Sequence, residues 1–156
     1  IELLNKRIYI DGQDVTDDIR SLDVTQKVSV IAKIPKVRYY MTAQQRTMAQ
    51  KKGAILDGRD IGTTVLPDAD YKFYLTADIE ERARRRYEEL LKQGEHVEFW
   101  QIKEDISNRD NEDAHRSCSP LKMAKDAVII DTTYKTIDDV VEEIVQYISK
   151  GGTCIV

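Results

Sequence analysis

Ala54-Ile55-Leu56-Asp57-Gly58-Arg59-Asp60-Ile61-Gly62-Thr63 reads as a short apolar strand running into a loop with two carboxylates, one guanidinium and two glycines. That order sets fixed charges and free backbone amides at the carboxyl end of a strand, the place where open α/β sheets bind ligands. Asp57, directly after the strand, stands where phosphoryl-transfer enzymes place a magnesium-associated carboxylate. Gly58 and Gly62 are expected to let the backbone approach a ligand closely.

Working outward, Tyr71–Thr76 and Ala127–Ile130 read as further strands, the second apolar and β-branched enough to be buried on both faces. Asp78 with Glu81 forms a capping pair opening a charged helix that ends near Gly94. Another helix spans roughly 99–111 and continues toward Arg116, before Pro120. The last carries Ile137, Val140, Val141, Ile144, Val145 and Ile148 as an apolar stripe. Strands alternating with helices predict a parallel sheet with helices on both faces. Upstream, Arg7–Ile10 and Gln13–Val15 flank the hairpin signal Asp11-Gly12. Asp23 is expected to cap a helix through about Ile34, and Pro35 to open a second running to Lys52 before Gly53. The expected organisation is an antiparallel piece over 1–23, a helical part over 24–53, an α/β core over 54–149 and a tail over 150–156.

The 156 residues are 41% apolar and 33% charged, a globular balance rather than a disordered one. No apolar run is long enough to span a bilayer, and the first residues lack a signal-peptide pattern. Ile1 in place of Met leads us to expect a preceding segment. Two distant cysteines give no disulfide framework, so a cytoplasmic location is expected. The net charge of −4 argues against nucleic acid, yet Arg82, Arg84, Arg85 and Arg86 cluster and suit a small polyanion. Arg109, Asp113 and Arg116, spaced by four and three, share one helical face. Such spacing fits either surface ion pairs or two cationic forks steadied by a carboxylate. His115 and Cys118 alone fall short of the four ligands of a zinc site. Phe99 and Trp100 are expected to pack in a helix interface rather than stack on bases.

Taken together, these residues resemble the bacterial cytidylate kinases, a nucleoside monophosphate kinase family. The resemblance rests on D-G-R-D-I-G-T-T-V-L-P-D from Asp57 to Asp68, E-E-R-A-R-R-R from Glu80 to Arg86, and R-D-x-x-D-x-x-R-x-x-x-P-L from Arg109 to Leu121. A-K-D-A at 124–127 and I-D-T-T at 130–133 close the series, in the family's order and over nearly the whole chain. It implies a P-loop kinase fold carrying a small antiparallel insert, with ATP as phosphoryl donor, CMP or dCMP as acceptor and Mg²⁺ as cofactor. A monomer is the default expectation for the complete protein, and charge and hydropathy lead us to expect no nucleic-acid or membrane partner.

By the same resemblance Ser29 and Arg38 contact the acceptor from the insert, and Arg59 and Asp60 read cytosine. The Asp60 carboxylate accepts from an exocyclic amine, where uracil would offer a repelled carbonyl. Arg109 and Arg116 bind phosphate, Asp113 orients the sugar or those arginines, and Asp57 meets magnesium through water. A lid lies around 82–100, whose arginines meet the transferring phosphoryl group; Arg82, Arg86 and Arg109 are the candidate catalytic residues. The chemistry needs no protein nucleophile, because the attacking phosphate oxygen is already anionic and the task is to bring two polyanions together.

One family feature has no counterpart here: the P-loop, G-x-x-x-x-G-K-[ST], is not found in the 156 residues. The resemblance puts it, with the sheet's central first strand, before Ile1. Without that strand, 54–57 and 71–76 are expected to keep unpaired edges, and the chain alone is expected to be inactive. A non-catalytic CMP-binding or assembly fragment is the alternative reading.

Overall fold

The computed structural model describes residues 1–5, 7–50 and 53–151. The chain divides into two compact units, Ile1–Lys52 and Gly53–Val156.

In the first unit, β1 (Glu2–Leu4), β2 (Arg7–Ile10) and β3 (Gln13–Asp14) form an antiparallel sheet with β2 central. Tyr9 lies opposite Asp14 and Ile10 opposite Gln13. Between them Asp11 and Gly12 both take positive φ, +50° and +81°, the twist that a tight two-residue hairpin requires. β1 was not foreseen from sequence. Asp14 ties the turn together, accepting from Thr16 Oγ1 at 2.6 Å and Arg7 Nη1 at 2.5 Å. Helix α1 (Leu22–Ile31) starts at Ser21, whose hydroxyl accepts from the Val24 amide at 3.4 Å. The cap is therefore Ser21, not Asp23, which already lies within the helix. Helix α2 (Pro35–Ala49) carries Pro35 in its first turn, where the missing N–H costs nothing. Its expected end at Lys52 lies outside the described residues.

In the second unit, β4 (Phe73–Thr76) and β5 (Val128–Asp131) pair in parallel, with Phe73 beside Val128 and Thr76 beside Asp131. Helices α3 (Ile79–Lys92), α4 (Phe99–His115) and α5 (Ile137–Ser149) complete the alternation. The Asp78 carboxylate accepts from the Glu80 amide at 2.8 Å, so the cap is real. Its reciprocal half is not formed: Glu81 pairs with Arg84 and Arg85, and the Asp78 amide donates to Thr133 Oγ1. A full capping box does open α5, between Thr136 and Asp139. Buried Ala83, Leu90 and Ile102, with Tyr87, Val97 and Ile106 packed on them, join α3 to α4. Phe99 meets Tyr87 edge-on at 6.0 Å as expected of a packing residue, whereas Trp100 is 60% exposed and packs little.

Three expectations about the sheet are corrected. Residues 54–57 form no strand: they pair with no described strand, and Ile55 is 98% exposed. An extended segment without a ladder partner has no place to satisfy its backbone groups except water. Strand β5 is buried on one face only, Ile130 being buried while its neighbour Ile129 is 57% exposed. The apolar stripe of α5 is covered only in part. Tyr147 sets its edge on Phe73 at 5.6 Å and Tyr71 at 6.4 Å, while Ile137, Val141 and Val145 stay exposed. Residues 152–156 of the expected tail lie outside the described residues.

Candidate functional site

The loop after residue 57 is shaped by close contacts within itself. A Cβ on Gly58 would stand 2.9 Å from Ile61 Cγ1, so the glycine admits that side chain. A Cβ on Gly62 would make ordinary contacts with Lys72 and Ala124. Gly58 thus has an internal packing reason to lack a side chain, beside the ligand approach expected of these two glycines. Ile61–Val65 then coil into a single π-type turn, whose Thr64 and Val65 amides both donate to the Asp60 carbonyl, at 2.9 and 3.2 Å. Val65, the last residue of this turn, is buried, as is Asp60 just before it.

Asp60 meets the end of α4 there. Arg116 Nη2 lies 3.9 Å from Asp60 Oδ1, and Arg116 Nη1 lies 3.4 Å from Asp113 Oδ1. On the other side, Arg59 Nε stands 3.3 Å from Asp113 Oδ2. The four side chains form an alternating row, Arg59–Asp113–Arg116–Asp60, that neutralises two carboxylates with two guanidiniums. Asp60, Arg116 and Asp113 side chains are 8%, 11% and 14% exposed, and Arg59 is 44% exposed. Arg116 Nε also donates to the Ser119 carbonyl, and the Leu121 amide donates to the Asp113 carbonyl at 2.7 Å. The chain turns back at Ser119, whose φ is +50°.

Hydrogen bonding in this row is incomplete. Arg116 Nη2 and Asp113 Oδ2 are buried atoms without a hydrogen-bond partner, despite the neighbouring opposite charges. A buried donor left in that condition costs about 1–3 kcal/mol, so natural proteins keep such atoms sparingly, often at functional sites. A guanidinium donor surplus to its carboxylates suits an anionic oxygen.

The remaining candidates are placed as follows. Arg109 is exposed on α4 one turn before Asp113, with no ion pair or hydrogen bond among the described residues. Asp57 is exposed beside the row, and no three metal-ligating side chains come together among the described residues. A single exposed carboxylate is compatible with magnesium that keeps most of its waters, and with no tighter site. Ser29 lies on α1 and Arg38, half-buried, on α2, both in the first unit; the Ser29 side chain is outside what is described. Arg86 Nη1 pairs with Glu89 at 2.6 Å. Arg82 Nη1 reaches Asp110 on α4 at 2.5 Å. His115 Nδ1 is bonded to the Asn111 carbonyl at 2.9 Å. Sequence spacing found the Asp113–Arg116 pair but missed Arg59–Asp113, Asp60–Arg116 and Arg82–Asp110, which join separate elements and leave no periodic signal.

Comparison with known proteins matches residues 1–150 to the family model described as cytidylate kinase. A cytidylate kinase of Caldanaerobacter subterraneus subsp. tengcongensis is 48% identical over 97% of this chain and 67% of its own length. One of Alkaliphilus oremlandii is 50% identical over 93% of this chain and 67% of its own. A third, of Bacillus licheniformis, is 48% identical over 93% of this chain and 64% of its own. The chain therefore spans about two thirds of the length of these curated relatives. Among the described residues, no helix is long and apolar enough to cross a membrane.

Proposed function

The chain belongs to the cytidylate kinase family, and we propose that it supplies the acceptor side of an enzyme transferring the γ-phosphate of ATP to CMP or dCMP. The observation that carries this reading is Arg116, nearly buried between Asp113 and Asp60 in the ionic row, whose Nη2 has a donor to spare. In the proposal Arg116 and the exposed Arg109 take the acceptor phosphate, and Asp113 holds Arg116 in register. Arg59 and Asp60 read the cytosine edge: a carboxylate accepts from the exocyclic amine and repels the carbonyl that uracil would present. Ser29 and Arg38 are further acceptor-contact candidates in this reading.

Catalysis here is positioning and charge neutralisation rather than proton abstraction. Lid arginines, Arg82 and Arg86, complement the phosphoryl group in flight and Arg109 the acceptor. Magnesium, when bound, neutralises phosphate charge, and Asp57 would meet it through water. The donor phosphates need a P-loop, which these residues do not contain. In this proposal the 156 residues alone bind CMP without transferring phosphate.

Two measurements test it. The full-length gene product with ATP should convert CMP and dCMP to their diphosphates and UMP far more slowly. Calorimetric titration of the 156-residue chain should show CMP binding. Turnover without preference for cytosine would overturn the base-reading roles, and CMP binding by a full-length product without turnover would favour a binding fragment instead.

A further inference from the structure

The four arginines at the start of α3 differ in what is left of their hydrogen-bonding capacity. All three nitrogens of Arg84 are taken by Glu81 and Glu88 on an exposed face. Those of Arg85 are taken by Glu81, Thr132 Oγ1 and the Thr132 and Thr133 carbonyls, which strap α3 to the segment after β5. Arg86 has one contact, to exposed Glu89 in its own helix. Arg82 alone of the four makes both of its contacts outside its helix. Its Nε donates to the Ala77 carbonyl at 3.1 Å, and its Nη1 to Asp110 Oδ2 at 2.5 Å. Ala77 directly follows the last residue of β4. The guanidinium is thus fixed at the carboxyl end of a parallel strand, 35% exposed, with Nη2 free of any described partner. Arg86 lies four residues further along the helix, about 6 Å beyond Arg82 along its axis.

We propose that Asp110 is a positioning residue for phosphoryl transfer. With the Ala77 carbonyl it holds Arg82 so that the Nη2 edge is presented to a phosphate oxygen at the end of β4. Because guanidinium is a rigid planar fork, fixing Nε and Nη1 also fixes the direction of Nη2. The two residues sit 28 apart in sequence, on different helices, so the pair links α3 to α4.

The proposal rests on the kinase reading and is tested in the full-length gene product. Asp110→Asn should lower kcat about ten- to a hundredfold, the scale of a misplaced catalytic group. KM for CMP should change less than about twofold, and the unfolding midpoint should hold, since half-exposed ion pairs contribute little to stability. Asp110→Glu should recover most of the rate, and Arg82→Lys combined with Asp110→Asn should lose no more than the worse single variant. An unchanged kcat in Asp110→Asn would overturn the positioning role. So would a loss that tracks the unfolding midpoint and is not recovered by Glu. Absence of CMP phosphorylation by the unaltered protein would overturn the kinase reading itself, which separates the two failures.

Discussion

Arg116 and Asp60 face each other inside the second unit as opposite charges 3.9 Å apart, and the Arg116 nitrogen on that side makes no hydrogen bond. One guanidinium, on the extended residue just past α4, thereby serves two carboxylates, Asp113 in the last turn of that helix and Asp60 at the end of the 57–60 loop. Stability and ligand binding both pass through it.

Removing that cation should therefore be costly without any ligand present. Arg116→Met is expected to destabilise the protein by about 3 kcal/mol, because it leaves two nearly buried carboxylates without the charge between them. Arg116→Lys should cost less, retaining charge but losing the fork. Urea unfolding at neutral pH measures both, and a loss below about 1 kcal/mol for Met would contradict the shared-cation account.

Asp60→Ala should weaken CMP more than UMP. The expected difference is about ten- to a hundredfold, the scale of discrimination by a well-placed base contact. Calorimetric titration with both nucleotides reads it directly; equal losses would remove the cytosine-reading role from Asp60.

Backbone amides at 54–57 should exchange with deuterium quickly, and those of Val128–Asp131 slowly. The first segment has no strand partner among the described residues, whereas the second is paired along its length with β4. Strong protection at 54–57 in the monomeric 156-residue chain would show a paired strand there and refute the description.

The hairpin of the first unit should loosen in acid. Asp14 is held down to about 2 from 3.8, chiefly by the Thr16 hydroxyl and then by Arg7 and the Thr16 amide. Since the folded value is the lower one, its contribution is complete above about 4 and disappears as pH falls toward about 2. Asp14→Asn should remove this acid step, which an NMR titration of the Thr16 amide would follow; an identical step in the variant would assign it elsewhere.

Much of the fold could be read from local chemistry. Asp11-Gly12 announced its hairpin because few other pairs tolerate two positive φ angles in succession. Pro35, Asp78 and the apolar spacing of α5 marked helices for equally local reasons. Where the reading failed, partners were at issue. Ile55 and Ile129 look like buried strand residues because they are apolar and β-branched, yet burial depends on a neighbour that composition cannot supply. At the site, Asp113 and Arg116 were visible as one helical face. That Arg59 and Asp60 flank them was not legible, since the resemblance gave those two residues only a base-reading role.

By itself, then, the sequence determined the family, the helices and most of the strands, and the chemical classes at the site, since motifs, caps and periodicity are properties of neighbours along the chain. Only the tertiary structure decided which charges meet. It turned the Asp57–Asp60 loop from a set of free polar groups into one half of a buried ionic row, and it sorted four similar arginines by their remaining donors. Those outcomes depend on contacts between residues 28 to 56 positions apart, where chain connectivity carries no signal and packing geometry determines the partner.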